Sequence, residues 1–150
     1  MRPIYILLFL SMVVCSCVLF PQYRHSNFQY RQDGTNHVIT LVVPKGYLSV
    51  ETKNDSLGNQ VELFHYPGGA TLYASHLSDT TILIQAIDKS INIPKVLPNG
   101  GLIYKGMDST NLFWREIRRK NFRFGYRSVN SLQEPLFDSA TNFMSWQQLY

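Results

Sequence analysis

The sequence predicts an α+β fold: an antiparallel sheet of about six or seven strands with one or two helices packed on one face. Three observations carry this expectation. Short runs rich in β-branched and aromatic residues alternate in polarity at period two, separated by Gly-, Pro- and Asn-rich turns. Two pairs of these runs flank tight turns and read as hairpins. One stretch near the C-terminal end instead repeats its apolar residues at helical spacing.

The elements follow in order. Residues 21 to 37 are polar and non-periodic, with Asp33-Gly34 as a turn signal, and read as a tether, an edge strand at its end being the alternative. Val38 to Val43 is a β-branched strand stopped by Pro44-Lys45-Gly46, and Tyr47 to Lys53 alternates like a half-buried strand. Asn54 to Asn59 is turn chemistry. Val61 to Tyr66 and Ala70 to Ser75 flank Pro67-Gly68-Gly69, where Pro67 presets φ and Gly68 supplies the positive φ of a type II turn. With those two residues central, Leu63 faces Leu72, Val61 faces Ala74 and Glu62 faces Tyr73.

Ser78-Asp79 is placed to cap a helix over Thr80 to Lys89, with Ile82, Leu83, Ala86 and Ile87 as its apolar set, although its β-branched start also suits a strand. Pro94, Pro98 and Asn99-Gly100-Gly101 mark a loop, and Leu102 to Lys105 a short strand. Asn111 to Arg118 and Phe122 to Val129 form a second hairpin around Arg119 to Asn121. Glu134-Pro135 opens the final helix, whose Leu136, Ala140, Phe143 and Met144 recur at helical spacing.

The chain carries two cysteines, Cys15 and Cys17, at the end of an apolar run from Ile4. Their neighbours are Met12, Val13, Val14, Val18, Leu19 and Phe20, an apolar setting that resists thiolate formation and offers no further metal ligand. A disulfide between residues two apart would be strained and close almost no loop. The whole segment reads better as an export signal: Met1-Arg2-Pro3 as the charged n-region, Ile4 to Val14 as the apolar h-region, then small residues.

Val14-Cys15-Ser16-Cys17 resembles the lipobox of bacterial lipoproteins. The resemblance covers about the first 20 residues and implies cleavage before Cys17, whose thiol would carry a diacylglycerol. Cys17 fits that role better than Cys15, because Val14 is bulkier than the small residue expected before the lipidated cysteine. Two or three acyl chains would hold the protein on a bilayer. An uncleaved anchor over Ile4 to Phe20 and a plain secretory signal are the alternatives; at about 17 residues the run is at the lower limit for a span. The organisation expected is a signal peptide over 1–16, a lipidated N-terminus and tether over 17–36, and a single globular domain over 37–150. The position after Cys17 holds Val18 where inner-membrane retention would place Asp, so the expected address is the cell envelope, at the periplasmic face of the outer membrane. The lipobox followed by aromatic strands such as Phe113-Trp114-Arg115-Glu116 is also similar to small Gram-negative envelope lipoproteins, a likeness that adds an address and no activity.

Charge is uneven. The formal net charge is +4, yet six of the 14 Lys and Arg lie between Arg115 and Arg127. With Lys120-Asn121 as a two-residue turn, Phe113, Arg115 and Ile117 share one face with Phe124, Tyr126 and Ser128. Trp114, Glu116 and Arg118 share the other with Arg123 and Arg127. Trp114, Arg118, Arg123 and Arg127 are therefore the candidate ligand-binding residues, suited to an anionic envelope component or an acidic protein. A solvated face with one carboxylate among its arginines is the plainer alternative.

Catalytic signals are sparse. The sequence has no Gly-x-Ser-x-Gly elbow, His-Glu-x-x-His or phosphate loop. His65 and His76 stand too far apart along the first hairpin to share a metal, and His25 and His37 read as solvated. No catalytic residue, metal ligand or cofactor is assigned. The functional expectation is a membrane-anchored envelope lipoprotein with a non-enzymatic binding or structural domain. Its expected partners are the membrane, through the lipid, and an envelope protein or anionic component, with no nucleic acid. The alternative is a hydrolase of envelope glycan or peptide, which would need a pocket based on Glu62, His65 or Glu116.

Overall fold

The computed structural model describes residues 22–32, 34–54, 59–76, 94–98, 100–142 and 145–148. Its strands are β1 (Tyr23–Gln32), β2 (Thr35–Pro44), β3 (Ser49–Asn54), β4 (Gln60–His65), β5 (Thr71–His76), β6 (Lys95–Val96), β7 (Leu102–Met107), β8 (Phe113–Arg119), β9 (Phe122–Val129) and β10 (Ser145–Gln148), and its α-helix is α1 (Glu134–Asn142). All pairings are antiparallel. A seven-stranded sheet runs β3-β4-β5-β9-β8-β7-β6, and a second sheet runs β1-β2-β10. The class is α+β, as the sequence predicts. The expected helix over Thr80 to Lys89 lies outside the described residues, as do Phe143 and Met144.

The core lies between the two sheets. Phe28 of β1 and Ile39, Leu41 and Val43 of β2 meet Phe64, Leu72, Ala74, Ile117, Phe124 and Tyr126 of the large sheet, with Phe137 of α1 closing the layer. Alternation explains the composition: Ile39, Leu41 and Val43 are every second residue of β2 and share its inward face. β1 occupies much of the polar stretch read as a tether. It pairs with β2 along its whole length around the turn at Gly34, and Phe28, among its described side chains, is buried in the core.

The first hairpin departs from the expected register by one residue. Phe64 faces Leu72 and Leu63 faces Tyr73, so Glu62 faces Ala74. The type II turn is present, with Gly68 at φ 77° and ψ 9° and Gly69 N–H donating to the Tyr66 carbonyl at 3.3 Å. Gly69 then also takes a positive φ, 84°, and Tyr66 N–H bonds Ala70 O at 2.8 Å, making a three-residue loop. A type II turn twists against its flanking strands, and a third residue at positive φ restores the match. Glu62 is thereby carried to the core side with Phe64, while Val61, Leu63 and Tyr73 cluster on the opposite face.

The second hairpin follows the expected register from Arg119–Phe122 to Arg115–Tyr126, then shifts at a bulge so that Phe113 faces Val129. Ser128, expected on the core face, takes φ 56° at this bulge, and Val129 is the residue buried there. Helix α1 buries Phe137, Ala140 and Thr141, an i, i+3, i+4 stripe, with Leu136 half-buried beside it.

What fixes α1 is a row of donors across three strands. Lys105, Arg115 and Tyr126 are cross-strand neighbours on the core side, and all three reach Asp138. Lys105 Nζ lies 2.7 Å from Oδ2, Arg115 Nη1 3.2 Å from Oδ1, and Tyr126 Oη 2.6 Å from Oδ1. Arg115 also donates to the Asp138 carbonyl at 3.1 Å and to Asn142 Oδ1 at 2.7 Å, and Lys105 reaches Glu134 at 2.6 Å. Burial pushes the Asp138 carboxyl up, but the hydrogen bonds from Lys105 and Tyr126 and the charge of Arg115 together hold it below 3.8.

β8 and β9 approach very closely at Gly125. A Cβ built there would stand 1.9 Å from the Arg115 carbonyl oxygen, a clash with backbone that no rotamer change relieves. Gly125→Ala is expected to lower stability by about 3 kcal/mol, measured as the urea midpoint; an unchanged midpoint would contradict the close approach.

Candidate functional site

The face of the large sheet opposite the core collects the residues singled out in the sequence. The β8–β9 register puts Trp114, Glu116 and Arg118 beside Arg123 and Arg127, and the β5–β9 register adds Thr71, Tyr73 and Ser75. β7 contributes Tyr104 opposite Glu116 and Gly106 opposite Trp114.

Glycine shapes this face twice. Gly106 leaves the space that the Trp114 indole occupies, since a Cβ there would lie 2.7 Å from its Cζ2. Gly125, lacking a side chain, separates Tyr73 from Glu116 within one cross-strand row. The Tyr73 hydroxyl passes over it to donate to Glu116 Oε2 at 3.0 Å.

Glu116 is fully buried and accepts a second hydrogen bond, from Arg118 Nε at 2.5 Å. Arg118 is half-buried, its guanidinium carbon 4.7 Å from the centre of the Tyr104 ring. Arg123 is 7% exposed and donates through Nε to Ser75 Oγ at 3.0 Å. Burial and the neighbouring Glu116 carboxylate push the Tyr73 hydroxyl well above its usual range, so it stays a donor. Two of the four candidates, Arg118 and Arg123, are thus committed to contacts within the sheet. Arg127 and Trp114 are half-buried at one end of the face and within reach of solvent.

The carboxylates and histidine considered for catalysis do not converge. Glu62 lies on the core side of β4, at the margin facing β1, with Ser26 Oγ at 3.4 Å and Gln60 Nε2 at 2.7 Å. Glu116 is on the opposite face of the sheet, and His65 sits at the β3 edge beside Glu51 at 3.3 Å. His65 faces Thr71, five positions along β5 from His76. Among the described residues no cluster of His, Cys, Asp or Glu is placed to hold a metal. A narrow crevice lined by Leu41, Val42, Leu72, Tyr73, Phe124, Ala140 and Thr141 contains no carboxylate or imidazole.

The sequence places Glu116 among the arginines of this face but does not pair it with the Tyr73 hydroxyl, because Tyr73 belongs to a strand two positions away in the sheet. The tyrosine on one strand and Gly125 on the next are the only local signs of that contact. Compared with known proteins, the chain matches no family model, no curated protein and no solved structure.

Burial raises the Glu62 carboxyl above its ordinary 4.5, against the lowering hydrogen bonds from Ser26 and Gln60. The folded state therefore binds this proton more tightly than the unfolded state, and stability falls as pH rises from 4.5 through the raised value. Glu62→Gln is expected to be more stable than the parent at pH 7, the gain disappearing below about pH 4.5. Urea titrations at both pH values check this, and comparison with the parent cancels the opposite acid effect of Asp138. On the other face, Arg123→Ala should cost about 1–3 kcal/mol by leaving buried groups unpaired, while Arg127→Ala should stay within about 0.5 kcal/mol of the parent. Equal losses in the same assay would show that the two arginines are not divided this way.

Proposed function

We propose that this chain is a lipoprotein of the bacterial cell envelope, acylated at Cys17. Its sheet domain is non-enzymatic and binds an anionic envelope component or partner protein through the face bearing Trp114 and Arg127. The observation that carries the binding part is the division of that face: Arg118 and Arg123 hold the sheet together, while Trp114 and Arg127 stand half-exposed on it. The non-enzymatic reading is supported by Glu62 and Glu116 facing opposite sides of one sheet and by His65 lying on β4 beside Glu51, with β5 and β9 between it and Glu116. The anchor reading rests on the lipobox-like Val14-Cys15-Ser16-Cys17, with β1 beginning six residues beyond Cys17. Among the described residues no helix is long and apolar enough to cross a membrane.

The intact mass of protein purified from membranes of an expressing bacterium tests the anchor. The expected mass corresponds to residues 17–150 plus acyl chains, lost in Cys17→Ala; an uncut, unmodified mass would make Ile4 to Phe20 a membrane anchor instead. For the binding face, Arg127→Glu is expected to elute from heparin, a soluble polyanion, at lower salt than Lys53→Glu, a control at the sheet edge. Identical elution of the two would remove the face from the proposal.

A further inference from the structure

The end of the sheet at which the chain enters the domain has a composition unlike the rest of its surface. Lys45 N–H bonds the Gln22 carbonyl at 2.8 Å, so β1 begins beside the Lys45-Gly46-Tyr47-Leu48 turn. Tyr66 at the end of β4 donates to Pro44 O at 2.8 Å, and Tyr23 donates to Leu136 O at 3.4 Å in the first turn of α1. These contacts bring the start of β1 to the same end as the start of β3, the end of β7 and the end of β9. Three of the five most exposed large apolar side chains among the described residues lie at this end: Leu48 at 73%, Met107 at 55% and Leu132 at 92%. Arg24 and Lys45 are exposed beside Leu48, Arg24 reaching the Tyr47 hydroxyl at 3.5 Å. Of the acidic groups nearby, Glu134 pairs with Lys105, while Asp108 accepts from Thr110 and Leu112 in its own turn and keeps its negative charge.

Chain length adds a second, independent constraint. Gln22 stands five positions beyond Cys17, and five extended steps of chain span at most about 18 Å. If Cys17 carries the lipid, this end of the domain is held within that distance of the bilayer whatever else the protein does. Apolar side chains exposed among cations are the composition that partitions into an anionic headgroup layer.

We propose that this end docks on the anionic phospholipid surface of the bilayer that holds the anchor, Leu48 and Leu132 dipping among the headgroups while Arg24 and Lys45 meet the phosphates. The inference rests on acylation at Cys17; Trp114 and Arg127, at the start of β8 and near the end of β9, lie towards this same end of the sheet. Docking fixes the orientation of the sheet, with the β8–β9 turn at Lys120 pointing away from the membrane.

The test uses full-length chain purified from membranes, checked by mass and reconstituted into vesicles with brominated acyl chains, containing phosphatidylcholine with or without phosphatidylglycerol. Leu48→Trp, read as the difference from the parent with its native Trp114 and Trp146, reports contact through bromine quenching. Leu132→Trp repeats the measurement at a second site. Quenching in phosphatidylglycerol vesicles that falls at least twofold on Arg24→Glu with Lys45→Glu is the expected result. Protein that floats with the vesicles while both added tryptophans stay unquenched would overturn the docking surface and leave the anchor standing. Protein that carries no acyl mass and does not float would overturn the anchor, and this inference with it.

Discussion

A guanidinium in the core of a sheet domain has to be neutralised where it sits, and in this fold that requirement decides where the helix goes. Arg115 is 5% exposed on the same side of β8 as Ile117, a position that alternation reserves for an apolar residue. An unpaired charge there would be expensive, so the domain supplies Asp138, Asn142 and a main-chain carbonyl from α1. Lys105 and Tyr126, its neighbours on the flanking strands, converge on the same carboxylate. Once Asp138 is held, Phe137 and Thr141 fall on the core side of the helix, and Phe137 packs between the rings of Tyr66 and Tyr126. The Arg115 Nε has no hydrogen-bond partner among the described residues, so the guanidinium is anchored through its two terminal nitrogens.

The opposite face solves a similar problem with different parts. Glu116, next in the chain, is fully buried there and is satisfied by Tyr73 across Gly125 and by Arg118 beside it. Consecutive residues of β8 thus carry opposite charges to opposite faces, Arg115 matched by the remote Asp138 and Glu116 by the nearby Arg118 together with the remote Tyr73 hydroxyl. The consequence for function is a division of labour among the basic residues. Arginines that look equivalent in the sequence serve the fold at Arg115, Arg118 and Arg123, while Arg127 is half-buried at the sheet end.

Much of this was legible in the sequence where local chemistry decides the outcome. Lys120-Asn121 as a two-residue turn gives the β8–β9 pairing residue by residue as far as Arg115, and the Pro-Gly turn is of the expected type. The register of the first hairpin was lost because a third loop residue, Gly69, left no apolar contradiction: either register gives each face a plausible set. β1 reads chiefly as tether in the sequence because its run is polar and non-periodic, and its pairing with β2 makes it a strand. The two-residue β6 and the short β10 are likewise defined by their partners more than by their own pattern. The site was legible as a face and not as a network. Spacing put Trp114, Arg118, Arg123 and Arg127 on one side, but burial of Arg123 and capture of Glu116 by Tyr73 depend on strand order in the sheet, which no local pattern encodes.

Whether the Arg115 to Asp138 contact organises the domain is open to a double-mutant cycle in urea with Arg115→Met, Asp138→Leu and the pair. Asp138→Leu alone should cost about 3 kcal/mol by leaving a buried guanidinium uncompensated. The double variant should lose at least about 1.5 kcal/mol less than the sum of the single losses, because removing both charges removes the penalty of each. Losses that add to within about 0.5 kcal/mol would mean that the two side chains act independently and that apolar packing alone positions α1.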